Sequence, residues 1–279
     1  YYPVVVTRNW STPIAAETDI CLAAGTHVQI EKTAGGEIHR IPFKPKLRDR
    51  LVTQKNKGLP LLLLQKLLTL VELIFGRWIP QMNPSYALGK YAETLCKQDP
   101  EIRCLIISAN PYPQFFFGRR IHKRTNIPWI ADYRDDWTTN ELVDRSGFIG
   151  KLLHQLDRKS ERLWVKSAAY ISSVSPYYTR KISEFTGRPG ISLLNGYNRE
   201  IRKKDPEPNP SFHLLYSGSL YKAQPIESMV HTLASVLEAL DIPWKISFQG
   251  ILYHQDQAQR VLNCLPETWK HKVVLSERS

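Results

Sequence analysis

Cysteine is scarce. The four present, Cys21, Cys96, Cys104 and Cys264, form no C-x-x-C pair and have no metal-like spacing to any of the eight histidines. That argues against a disulfide-stapled fold and a thiolate metal site, and favours buried, reduced thiols in a cytoplasmic protein. No signal-peptide pattern opens the chain. An uncharged run of membrane-spanning length is also missing. The most apolar stretch, residues 58–80, is interrupted by Gln65, Lys66, Glu72 and Arg77, whereas a spanning helix needs ~20 nearly uncharged residues. There is no internal repeat of short period and no helix-turn-helix, RRM or zinc-finger pattern. Acidic residues are in deficit, 26 against 38 Lys and Arg, for a net charge of +12. Such a surface attracts anions: nucleic acid, acidic lipid headgroups or diphosphate ligands.

What remains is globular. The 279 residues, 42% hydrophobic and 23% charged, suffice for one large or two ordinary domains. Strands and helices alternate. YPVVVT (2–7), 37–42, IRCLIIS (102–108), 127–132, 169–174 and 191–194 read as strands; 84–98, 114–124, 148–166 and 177–185 read as helices. The alternation predicts an α/β fold built on a parallel sheet with crossover helices. Residues 198–210, charged and proline-rich, read as a linker. The pattern then restarts, with strands at 212–216, 244–249 and 272–275 and helices at 226–240 and 255–264. The expected domains are 1–197 and 211–279. The second, at 69 residues, is short for an α/β domain of ~100–150 residues.

The leucines of 58–80 recur at steps of three and four but spread wider than a surface helix needs. Either a neighbouring helix covers them or a bilayer does, with the basic flanks Lys55, Lys57 and Arg77 at the headgroups. A peripheral membrane contact through residues 55–80 is therefore one open reading.

Ligands of open α/β sheets bind beyond the carboxyl ends of the strands. SANPYP (108–113), DYRDDW (132–137), SVSPYY (173–178), LLNGYN (193–198) and YSGSLYK (216–222) put polar or glycine-containing residues there. Asp132, Asp135 and Asp136 crowd one such turn around Arg134. Like carboxylates push their pKa values apart. The cluster serves either as a loop-ordering cap or as a cleft carboxylate that accepts a proton from a hydroxyl. Alternation places Asp132 and Arg134 on one side and Tyr133 and Asp135 on the other, if the extension persists. Asp135 is the candidate base. Gly218 admits close approach of a diphosphate to the backbone, with Ser219 beside it, and Lys222 supplies a point cation. Asn195-Gly196 is a turn-forming pair suited to a hinge.

The succession PWIADYRDDWT, ISSVSPYYTRKI, ISLLNGYN and FHLLYSGSLY resembles glycosyltransferases of the GT-B fold, family 4 type. The resemblance runs from about residue 2 to 275. It implies two Rossmann-like domains facing each other, the second incomplete here. It implies transfer of a sugar, with a leaning to retention, from a nucleotide-sugar donor to a glycan or lipid-linked acceptor in polysaccharide synthesis. It places Asn110 with Asp132 and Arg134 on the acceptor side, and Gly218, Ser219 and, more loosely, Lys222 at the donor diphosphate. No metal and no other cofactor is implied. The family's first strand and glycine loop are expected before Tyr1, and its two glutamates eight apart beyond Ser279, so activity of this stretch alone is an open question. The rival readings are a basic nucleic-acid-binding module, another GT-B enzyme such as a nucleotide-sugar epimerase, and an inert scaffold.

Overall fold

The computed structural model describes residues 1–10, 17–141, 147–196, 211–220, 224–239, 242–251 and 255–277. Two compact units divide at Tyr197 and Asn198. The expected linker, 198–210, lies outside the described residues.

The first unit contains two sheets. β1 (Val4–Arg8) runs parallel to β3 (Gly36–Ile41), and β2 (Gln29–Thr33) pairs with β3 as an antiparallel hairpin. A wholly parallel sheet was expected, and this hairpin departs from it. Its tight connection ends at Gly36, φ +151°, where a Cβ would sit 2.4 Å from the Pro3 carbonyl oxygen; only glycine suits that position. The helices α1 (Leu47–Thr53), α2 (Leu59–Phe75) and α3 (Tyr86–Gln98) follow.

The second sheet is parallel and strictly sequential: β4 (Leu105–Ala109), β5 (Trp129–Tyr133), β6 (Tyr170–Ser173) and β7 (Gly190–Ser192). Its crossovers are α4 (Phe115–Thr125), α5 (Gly147–Val165) and α6 (Pro176–Thr186). α4 ends at Asn126 and α6 at Gly187, both left-handed, the usual way to stop a helix. Ser175 caps α6 by accepting from the Tyr178 amide, ahead of Pro176. Right-handed crossovers in sequential order put every helix on one face. That face holds the core: Phe115, Trp129, Ala131, Tyr133, Trp164, Val165, Ile171 and Ile182. The opposite face is open. Two rows cross it in register, Ile106–Ile130–Tyr170 and Ser108–Asp132–Ser172–Ile191, and Ile106 is 64% exposed.

The second unit repeats this plan. Parallel β8 (Phe212–Ser217), β9 (Trp244–Gln249) and β10 (Val273–Ser276) lie in sequential order, with α7 (Ile226–Leu237) and α8 (Gln255–Cys264) between them. Val230, Leu237, Trp244, Ile246, Phe248, Val261 and Trp269 form its core. Both units are thus Rossmann-like α/β structures.

α2 is not a core helix. None of its residues is buried. Its polar side faces α1 and the connection between them, where Arg48 of α1 donates to Glu72 and Lys57 of the connection to Gln65, while Leu59, Leu61, Leu63, Leu64, Leu67 and Leu73 are exposed. Among the described residues no helix is long and apolar enough to cross a membrane.

Candidate functional site

The three aspartates that crowd the end of β5 go to three different environments. Asp132 is still in the strand and lies on the open face. Ser108 of β4 donates to its Oδ2 and Ser172 of β6 to its Oδ1, each at 2.7 Å. The pairing register puts these residues side by side. Hydroxyl-to-carboxylate bonds of this length are charge-assisted; they fix the carboxylate and leave its outer lone pairs towards the open face.

Beyond Tyr133 the strand ends, so alternation no longer assigns sides. Arg134 remains on the Asp132 side, where its Nη2 donates to Asn195 Oδ1 at 2.6 Å. Asp135 is exposed. Its carbonyl, rather than its carboxylate, is engaged, accepting from the Tyr112 hydroxyl at 3.0 Å. Asp136 is 5% exposed and lies 3.5 Å from Lys181 Nζ. One aspartate therefore supports the loop and two face outward.

Glu161 of α5 holds that loop from beneath. Fully buried, it accepts from the Tyr133 hydroxyl at 3.0 Å, from the Thr138 hydroxyl at 2.5 Å and from the Thr138 amide at 3.3 Å. Burial raises its carboxyl to about 7 against the opposing effect of these hydrogen bonds. Tyr112 adds a lateral brace: its ring stacks on Trp137 at 5.0 Å and its hydroxyl reaches the Asp135 and Asp136 carbonyls. Burial, then the Asp135, Asp136 and Glu161 charges, hold that phenol well above its usual range.

A recess of about 430 Å³ opens over the sheet, lined by Ile106, Ile130, Asp132, Arg134, Ser172 and the turn Leu193–Gly196. The structure thus brings together Asp132, Arg134, Asn195 and Gly196. Asp135 and Asn110, both exposed at adjacent strand ends, are not part of its lining. A fixed carboxylate, one serine, an amide and a guanidinium on an apolar floor suit a polyol ligand, whose ring faces are apolar and whose rim is hydroxylated. Among the described residues no group of three or more His, Cys, Asp or Glu side chains gathers where a metal ion could sit.

In the second unit Gly218 ends β8 with φ +137°, and nothing lies within 4 Å of where its Cβ would be. The space for a close-approaching ligand is there. Its own amide is spent on the Gln249 carbonyl at 2.9 Å, so other groups of the turn would have to donate. The Ser219 carbonyl accepts from Tyr216 at 3.1 Å. Lys222 lies outside the described residues.

Sequence reasoning missed Ser108, Ser172, Thr138 and Glu161. The two serines stood in quoted strand ends, but their meeting at Asp132 needs the strand order. Glu161 lies towards the C-terminal end of an amphipathic helix, and periodicity names a face, not a partner.

No family model matches the chain, and no curated protein does. Among solved structures it is similar to an alpha,alpha-trehalose-phosphate synthase (UDP-forming) from Burkholderia vietnamiensis. The TM-score is 0.51 at 6% identity, over 100% of this chain and 73% of that one. At that identity the likeness establishes fold: this chain folds like a GT-B glycosyltransferase.

Proposed function

We propose that the chain is a glycosyltransferase that moves a sugar from a nucleotide-sugar donor to a hydroxyl of a glycan or lipid-linked acceptor, and so serves polysaccharide synthesis. The observation that carries this reading is the recess over the open face of a Rossmann-like sheet, which reaches the carboxyl ends of the strands at Arg134 and Asn195 and holds Asp132, in a fold like that of a trehalose-phosphate synthase. In transfer the acceptor oxygen bonds to the anomeric carbon. The bond from that carbon to the diphosphate breaks, and the nucleoside diphosphate leaves with the electron pair. Asp132 and Asn195 orient the acceptor by its hydroxyls, and Arg134 answers any anionic group it carries. Asp135, exposed beside this recess, takes the proton of the attacking hydroxyl. Gly218, Ser219 and Lys222 belong to the donor diphosphate. No metal is required, and the family 4 resemblance favours retention of anomeric configuration, for which the acceptor hydroxyl enters on the same face that the diphosphate leaves.

The test is turnover of Asp135→Asn, read as release of nucleoside diphosphate. Because the carbonyl of Asp135 makes the loop contact, the substitution leaves the fold alone. Loss of a positioned acid or base costs about a hundredfold or more, with an unchanged melting temperature. Intact turnover per folded molecule would remove Asp135 from the chemistry.

A further inference from the structure

α2 is built inside out. Seventeen residues at 1.5 Å each make a rod about 25 Å long. Glu72 is tied to Arg48 of α1, and Gln65 to Lys57 in the connection between the two helices. Leu59, Leu63, Leu64, Leu67, Leu73 and Phe75 are all exposed, Leu59 at 69% and Leu63 at 57%. Plotted at 100° per residue, these side chains cover more than half the circumference. Lys66 is the one charge on that arc. Just beyond the helix Trp78, 55% exposed, adds an indole of the kind that settles at a bilayer's headgroup level. Arg77 is buried and paired with Asp157 of α5, which fixes the helix end to the unit.

Charge completes the surface. From Arg50 to Val71 the sequence holds Arg50, Lys55, Lys57 and Lys66 and no Asp or Glu. Arg50, Lys55 and Lys66 are exposed. A leucine seam between two copies is a narrow stripe of two positions in seven, and this arc is far wider. A two-fold interface would also set each Lys66 near its own symmetry mate. A protein partner brings hydrogen-bonding groups at about one bond per 100–200 Å², and the arc offers them almost nothing. Acyl chains need no hydrogen bonds, and anionic headgroups answer the three exposed cations, while Lys57 is spent on the Leu51 carbonyl and Gln65.

We infer that α2 is a membrane-docking element that lies in the plane of an anionic bilayer surface, with its leucine arc in the acyl boundary and Arg50, Lys55 and Lys66 at the headgroups. This holds the unit at the bilayer without a spanning segment, and it stands whether or not the chain transfers sugars.

Flotation with vesicles of phosphatidylcholine alone, and of phosphatidylcholine with phosphatidylglycerol at 7:3, tests it. The wild-type chain floats with the anionic vesicles at least tenfold better than with the neutral ones. Lys55→Gln with Lys66→Gln loses about fivefold per cation and flattens the salt dependence. Leu63→Gln with Leu67→Gln abolishes flotation while circular dichroism stays unchanged, since both positions are exposed. As a measurement on the unaltered helix, bromolipids quench wild-type tryptophan emission, and Trp78→Phe removes most of that quenching. Failure of the wild type to float on anionic vesicles overturns the inference. So does flotation indifferent to the leucine pair, or a wild-type dimer that the leucine pair dissociates without any lipid binding.

Discussion

Glu161→Gln isolates the buried carboxyl beneath the aspartate loop. In the folded chain Glu161 keeps its proton to about 7, against 4.5 for a free glutamate. Below pH 4.5 both folded and unfolded chains are protonated there, and the residue makes no pH-dependent contribution. Between pH 4.5 and 7 the unfolded chain has released the proton and the folded one has not. Stability therefore falls as pH rises, by up to ~1.4 kcal/mol per unit. The whole window removes about 3 kcal/mol, and above pH 7 the loss is complete. Gln at this site keeps the hydrogen bonds, its oxygen accepting from Thr138 and its amide donating to the Tyr133 oxygen. It cannot ionise. The variant should thus gain about 3 kcal/mol on the wild type between pH 4.5 and 8. Urea unfolding followed by tryptophan fluorescence measures this, since Trp10, Trp78, Trp129, Trp137 and Trp164 all lie in the first unit. Parallel stability curves for the two proteins across that range would refute the reasoning.

Two further perturbations check the frame around the site. Burial pushes the Glu93 carboxyl up, but hydrogen bonds from Lys97, Arg120 and Arg124 outweigh it and hold it at about 2; its stabilisation is complete above pH 4.5 and is lost as pH falls towards 2, so Glu93→Gln should flatten the acid limb of the melting curve. A Cβ at Gly118 would meet the fully buried Trp129 ring at 2.5 Å; Gly118→Ala should cost about 1–3 kcal/mol by overpacking, read as a lower urea midpoint.

The elements with strong apolar patterns were legible before any coordinates. β9 spans the predicted residues, and β4 to β6 are shifted by a few residues or less. β2 was invisible because Gln-Ile-Glu-Lys-Thr is exposed along its whole length and carries no burial signal; its pairing comes from the hairpin turn. α1, seven residues long, is too short for periodicity to register. At the site, Asp132 and Arg134 do line one recess, but the extension that alternation assumed stops at Tyr133, before Arg134. Alternation could not place Asp135, because β5 ends at Tyr133 and the turn that follows is shaped by Tyr112 and Glu161, one from another strand end and the other from a distant helix. The leucines of α2 announced a wide apolar surface, and which side of the helix it occupied depended on Arg48 of α1 and Lys57 of the connection after it, which claim the polar face.

The account rests on a nucleotide-sugar donor meeting the turn after β8. Calorimetric titration of the chain with UDP-, GDP- and ADP-sugars tests that most directly, alongside Gly218→Val, which puts a side chain where the turn now has open space. The account predicts saturable binding of one nucleotide class by the wild type and at least tenfold weaker binding by the variant. Absence of binding by all three classes, or equal affinity in the variant, would contradict it.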